Sequence, residues 1–166
     1  MRSIIVIAHN LRSAHNVGSL LRTADGLGID RVYLTGYSPF PIGRSDKRLP
    51  HIARKAHKQI SKTALGAEGS IKWEHSSEIE SVIEKLKKKD YYIVALEQTS
   101  SSVSLQKFKP SSKIALIIGR EVEGIEPAIL KMSDNSVEIP MLGKKESLNV
   151  VQAAAIAMYH CRYFKV

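Results

Sequence analysis

A single cysteine, Cys161, among 166 residues leaves no partner for an intrachain disulfide, so packing alone must hold the fold and Cys161 reads as a small core or interface residue. The six histidines fall in no HxxxH spacing and no CxxC occurs, so no metal site is expected. Long apolar runs are missing too. Nothing approaches the roughly 18 to 20 consecutive apolar residues that cross a bilayer, and Met1 leads within a few residues into a strand-like run instead of a leader peptide. A soluble, cytoplasmic protein is expected. No GxGxxG occurs, and the glycine pair at P-loop spacing, Gly119 and Gly124, is followed by Ile125 where that loop needs lysine. Dinucleotide and ATP binding therefore lose their usual sequence support. Low-complexity sequence is confined to TSSSVS at Thr99–Ser104, and there is no internal repeat. Acids are the scarcer charge, 16 against 25 Lys and Arg, giving a net charge of +9 and a pI near 9.7. That positive field favours polyanions, nucleic acid or anionic membrane surfaces, without choosing between them.

What is present is one compact core's worth of chain. At 43% hydrophobic, residues 1–166 read as a single domain with no appended module. Short β-branched runs at Ile4–Ile7, Val32–Leu34, Tyr92–Leu96, Ile114–Ile118 and Val137–Ile139 read as strands apolar on both faces. Between them, Ala14–Leu27, Ser77–Lys88, Pro127–Lys131 and Leu148–Tyr163 read as helices. Alternation of such strands with helices predicts an α/β fold with a parallel sheet flanked by helices.

Three segments carry the chemistry, in a fixed order. The first is NLRSAHNVGSLLRTADGLGIDRVYLTG at Asn10–Gly36. On its helix Val17, Leu20, Leu21, Ala24 and Leu27 form the apolar face, while His15, Gly18, Ser19, Arg22 and Gly26 project away from it. Glycine inside a helix costs roughly 1 kcal/mol relative to alanine, so Gly18 and Gly26 point to close approach by a backbone or a ligand. The second segment, IALIIGREVEGI at Ile114–Ile125, is a strand running into a glycine turn. Gly119 and Gly124 then lie at the carboxyl edge of a parallel sheet, where ligands bind in such folds. The third, VEIPMLGKKESLNVVQAAAIAMYH at Val137–His160, leads into a long helix for which Ser147 is a plausible cap. That helix is apolar or small nearly all round and so calls for burial on both sides, within the monomer or against a second subunit.

Together these segments resemble the SpoU or TrmH family of RNA ribose methyltransferases, within the SPOUT superfamily. The resemblance implies a C-terminal deep trefoil knot, a homodimer, and transfer of a methyl group from S-adenosylmethionine to a ribose 2′-hydroxyl of RNA, with tRNA favoured over rRNA. It places Asn16, Arg22, Glu121, Ser147 and Asn149 in the catalytic site and Leu96, Gly119, Ile139, Ser147 and Leu148 around the donor, with Arg12 also matching the pattern. Glu121 would anchor the donor pocket or orient Arg22, and Asn16 would fix the ribose or hold Arg22. A guanidinium keeps its proton, so binding phosphate and stabilising a developing alkoxide suit Arg22 better than acting as a base. A sulfonium prefers a neutral cup, which Ile139, Met141, Leu142 and Leu148 offer. A non-catalytic RNA-binding knot protein and a small-molecule methyltransferase stay open.

The densest basic stretch is GRSDKRLPHIARKAHKQISK at Gly43–Lys62, with Arg44, Lys47, Arg48, Arg54, Lys55, Lys58 and Lys62 against one acid, Asp46. It reads as an RNA phosphate contact or as a solvated basic loop. Tyr37 or Phe40 nearby are candidates for stacking on an unpaired base.

Overall fold

A computed structural model describes residues 1–43 and 46–165. Among these residues, seven strands form one sheet: β1 (Ser3–His9), β2 (Arg31–Thr35), β3 (Trp73–Ser76), β4 (Tyr92–Leu96), β5 (Val103–Ser104), β6 (Lys113–Ile118) and β7 (Asn135–Glu138). Their order is β3-β2-β1-β6-β4-β7-β5, and every pairing is parallel. Six helices accompany them: α1 (Ala14–Gly26), α2 (Pro50–Ala64), α3 (Ala67–Ser70), α4 (Ile79–Lys87), α5 (Pro127–Met132) and α6 (Val150–Tyr163).

Because successive side chains of a strand point to opposite faces, the apolar runs divide cleanly between two layers. Ile4, Val6, Ala8, Val32, Leu34, Ile114, Leu116 and Ile118 pack with α1, α2 and α6 on one face. Ile5, Ile7, Tyr33, Ile93, Ala95, Ala115 and Ile117 pack with α4 and α5 on the other. Full burial of each large aliphatic side chain contributes about 1.5–3 kcal/mol, so the central strands, covered on both faces, anchor the fold. Cys161 is fully buried in the first layer. No helix of the described residues is long and apolar enough to cross a membrane.

Three local departures from the sequence reading have physical causes. The stretch from Pro50 to Ala64 is a helix, not a loop; its proline occupies the first turn, and only Ala53, Ile60 and Ala64 are buried, a signal too thin to stand out among lysines. Gly18 belongs to the buried side of α1, where an added Cβ would collide with the Ile60 carbonyl oxygen and the Thr63 hydroxyl of α2. Close backbone approach is thus real at Gly18, whereas Gly26 ends α1 with open space around it. Strands β3 and β5 were not expected, and β5 takes two residues from the serine-rich TSSSVS.

Candidate active site

Chain reversals at the carboxyl ends of β1 and β6 bring the first and second sequence segments together. Beyond His9, Asn10 adopts a positive φ of 57°, and Ser13 caps α1 by accepting the Asn16 N–H at 3.2 Å. Beyond Ile118, the turn from Gly119 to Gly124 carries Glu121 over the start of that helix. Its carboxylate accepts the Arg12 N–H at 3.2 and 3.3 Å, the Ser13 N–H at 3.3 Å and the Asn16 side-chain amide at 3.0 Å. An anion placed there meets the free N–H groups and the positive end of α1. Burial alone would raise the Glu121 pKa, but hydrogen bonds from its own amide, Arg12, Asn16 and Ser13 outweigh it and hold the carboxyl below its ordinary value.

Glu121 therefore engages Asn16 and not Arg22. Arg22 is exposed and has no side-chain hydrogen bond or ion pair among the described residues. It lies six positions along the helix from Asn16, so the two side chains leave α1 about 120° apart and ~9 Å apart along the axis. The Arg12 guanidinium pairs with Glu123 at 2.6 Å on the surface.

A cavity of about 260 Å³ opens beside Glu121 at the ends of β4, β6 and β7. Leu96, Gly119, Ile139, Ser147 and Leu148 all line it, together with Ile118, Val137, Met141 and the first turns of α6. Asn149 does not line it; its side-chain oxygen accepts the Val151 N–H at 2.9 Å, making Asn149 the cap of α6 in place of Ser147. Leu142 is 98% exposed and forms no part of the cup.

Two groups escaped the sequence reading. Glu97, the residue after β4, accepts the Ile125 N–H at 2.9 Å and the Gln98 N–H at 3.0 Å, bracing the glycine turn against the neighbouring strand. Gly124, at φ +68°, has no room for a side chain, which would strike that carboxylate. At the end of β1, His9 Nδ1 meets the Thr35 hydroxyl at 2.9 Å and its Nε2 lies 3.4 Å from Glu126. Glu126 in turn faces Arg120 at 3.5 Å. Burial lowers the His9 pKa despite the carboxylate beside it. Glu97 follows directly on β4 and His9 is the last residue of β1, and a polar residue at that carboxyl edge was the signal available.

Of the expected RNA contacts, Lys47, Arg54 and Lys55 are exposed, and Arg44 lies outside the described residues. Arg48 is turned inward: it pairs with Asp46 and donates to the carbonyl oxygens of Phe40 at 3.1 Å and Pro41 at 3.2 Å. It also covers one aromatic neighbour, its guanidinium carbon 3.5 Å from the Phe40 ring centre. Phe40 stacks on His75 with centroids 3.9 Å apart, so both residues close a loop instead of offering a free face. Tyr37 is 54% exposed.

The SpoU rRNA Methylase family matches residues 3–159. The chain belongs to this family. A SpoU relative, the tRNA (guanosine(18)-2′-O)-methyltransferase of Aquifex aeolicus (strain VF5), is 27% identical over 167 residues, covering 97% of this chain and 69% of its own length. A crystal structure of an RNA 2′-O ribose methyltransferase superposes with a TM-score of 0.77 at 26% identity, over 96% of this chain and 55% of that one. The AdoMet complex of the SpoU methyltransferase AviRb from Streptomyces viridochromogenes shares the fold, with a TM-score of 0.75 at 22% identity over 96% of this chain and 59% of its own. This SpoU chain thus spans little more than half the length of those two proteins.

Proposed function

We propose that this chain is an RNA ribose 2′-O-methyltransferase that uses S-adenosylmethionine. The observation that carries the reading is the cavity at the ends of β4, β6 and β7. Polar and apolar groups share its lining: Leu96, Ile118, Val137, Ile139, Met141 and Leu148 supply the apolar part, and carboxylates Glu97, Glu121, Glu138 and Glu146 stand around it with Arg120 as the one cationic side chain among the described residues lining it. Such a lining fits a ligand that joins a flat apolar part to a cationic centre, because the aliphatic side chains favour the former and the carboxylates the latter.

Bound S-adenosylmethionine would supply an electrophilic methyl group on a sulfonium centre. Leu96, Gly119, Ile139 and Leu148 would hold its adenosine, with Ser147 at the mouth. Glu121 fixes Asn16 beside that mouth, and Asn16 would orient the acceptor ribose. Asn149 would act by starting α6 where it does, setting the loop that carries Ser147 and Leu148. Arg22, still protonated, would hold the acceptor's phosphate and stabilise the alkoxide as it develops.

Arg22 leaves α1 on a different side from Asn16, which supports a site completed by a second subunit, with Arg22 reaching the partner's cavity. Exposed apolar groups support the same homodimer: Ile156, Tyr159 and Tyr163 of α6 are 44%, 60% and 56% exposed and border a groove formed with Leu105, Pro140 and Phe164. A face this apolar is characteristic of a subunit contact. The deep trefoil knot of SPOUT enzymes is proposed for the segment from β6 to α6; insertion of β6 between β1 and β4, and of β7 between β4 and β5, is the crossed connectivity that accommodates it. Transfer RNA is favoured over ribosomal RNA because the Aquifex relative, matched along nearly this whole chain, carries a tRNA activity in its name.

The test is transfer of labelled methyl to separate pools of unmodified tRNA and rRNA, with 2′-O-methyl positions mapped afterwards. Label in one pool is expected, and Arg22→Lys should lower the rate about 100-fold, since an ammonium cannot reproduce a planar two-donor contact. Bound donor with no label in either pool would sink the enzymatic reading; near-wild-type turnover of Arg22→Lys would remove Arg22 from the mechanism.

A further inference from the structure

On α2 the side chains of His51, Arg54, Lys55, Lys58 and Lys62 fall within about 100° of arc and along ~16 Å of axis, at 100° and 1.5 Å per residue. All five are exposed. Among the described residues none of them has an ion-pair partner, whereas Arg12, Arg31, Arg48, Lys85, Lys87, Lys113 and Arg120 each face a carboxylate. The first turn of α2 contains no acid, so the helix's own positive end adds to this field. Like charges at i and i+4, as in Arg54, Lys58 and Lys62, weaken a helix that has no anion to face. The opposite side of α2 is spent on packing, with Ala53, Ile60 and Ala64 buried and the backbone against Gly18 of α1.

We propose that this face of α2 docks the sugar-phosphate backbone of an RNA stem, independently of sequence and outside the cavity at the ends of β4, β6 and β7. The inference rests on the methyltransferase reading for its purpose, since it adds an anchoring surface to that site. An anionic membrane fits less well: an interfacial helix turns its apolar side to lipid, and here that side is already covered by α1. The docking face and the cavity are separate surfaces. Helix α2 packs on α1, its Thr63 hydroxyl donating to the His15 carbonyl at 2.8 Å, and none of its residues lines the cavity at the ends of β4, β6 and β7. A substrate engaging both must carry a stem in addition to the modified nucleotide.

The experiment measures affinity for an unmodified tRNA transcript by fluorescence anisotropy across a salt series, for the wild type and for R54A/K58A/K62A. Loss of three phosphate contacts should flatten the slope of log affinity against log salt by about 2 to 3. A charge-matched control, K88A/K89A/K131A on the α4 and α5 side, should change it by less than about 1. Donor affinity, read by calorimetry, should be equal in all three proteins. An unchanged slope in the α2 variant, an equal change in both variants, or capture by anionic phospholipid vesicles with no RNA binding would each overturn the proposal. Wild-type protein that binds RNA with the expected slope difference but takes up no donor would overturn the methyltransferase reading and leave the docking surface standing.

Discussion

Glu121→Gln keeps the shape of the side chain that joins the second segment to the first while removing its charge. The carboxylate serves three donors, the Arg12 and Ser13 amides and the Asn16 side chain, at 3.0 to 3.3 Å. All three donors reach Oε1, so a glutamine oxygen in that place keeps them as weaker, uncharged bonds, while its NH2 group replaces Oε2 opposite the Arg12 N–H. A hydrogen bond to a charged group is worth about 1.5–3 kcal/mol, and a charge at a helix start about 0.3–1 kcal/mol. These separations are long for charge-assisted bonds, which puts the total near the low end, about 2 kcal/mol. At about 2–4 °C per kcal/mol for a chain of this size, Tm should fall by roughly 4–8 °C. The pH dependence gives the sharper check. Because the folded-state pKa is depressed, the contribution is complete above the unfolded carboxyl value and is lost as pH falls through the folded one. Scanning calorimetry should therefore find the full gap between wild type and Glu121→Gln at about pH 7, closing as the acid range below the ordinary carboxylate value of ~4.3 is entered. A gap that persists undiminished in acid, or no gap at neutral pH, would refute the assignment of Glu121 as the anion holding the start of α1.

Two further outcomes follow from packing and burial. Gly18→Ala must push α1 from α2 because its Cβ meets backbone, so urea unfolding should show a loss of about 1–3 kcal/mol; stability equal to or above wild type would mean the helices are not in contact there. Burial depresses the His9 pKa below the unfolded 6.5, so its contribution is present above that value and lost as pH falls through the folded one. His9→Gln should flatten the thermal-stability profile below about pH 6.5, and an unchanged slope would assign the titration to another histidine.

The sheet was legible because its central strands are apolar on both faces, a pattern that helical periodicity cannot imitate over five or six residues. Strand β4 matches the expected Tyr92–Leu96 at both ends, and β6 differs by one residue. Strands β3 and β5 stayed hidden because they lie at the sheet's edges, half-buried, with Glu74, His75 and Ser104 where a central strand carries valine or isoleucine. That Leu96, Gly119, Ile139, Ser147 and Leu148 share one cavity was legible through the resemblance alone, since nothing in the spacing of Leu96 and Ile139 reveals that β4 and β7 are neighbours. Which partner Glu121 holds was beyond reach for a different reason: it depends on how a turn after β6 folds over a helix more than a hundred residues earlier in the chain. Glycine chemistry was readable in kind but not in place, with Gly18 touching α2 and Gly26 touching nothing.

The pairing of β1 with β6 sets the order in which this protein can come into being. Ser3 meets Lys113 and Ala8 meets Ile118, so the middle of the sheet joins residues about 110 positions apart. While the ribosome has delivered only the first hundred residues, β1 has β2 at one side and a bare row of amides and carbonyls at the other. Such distant contacts make closure slow, and the growing chain carries an apolar strand in need of shielding until β6 arrives. The same strand that gives the mature fold its centre is thus the segment on which a nascent-chain chaperone would have most to do.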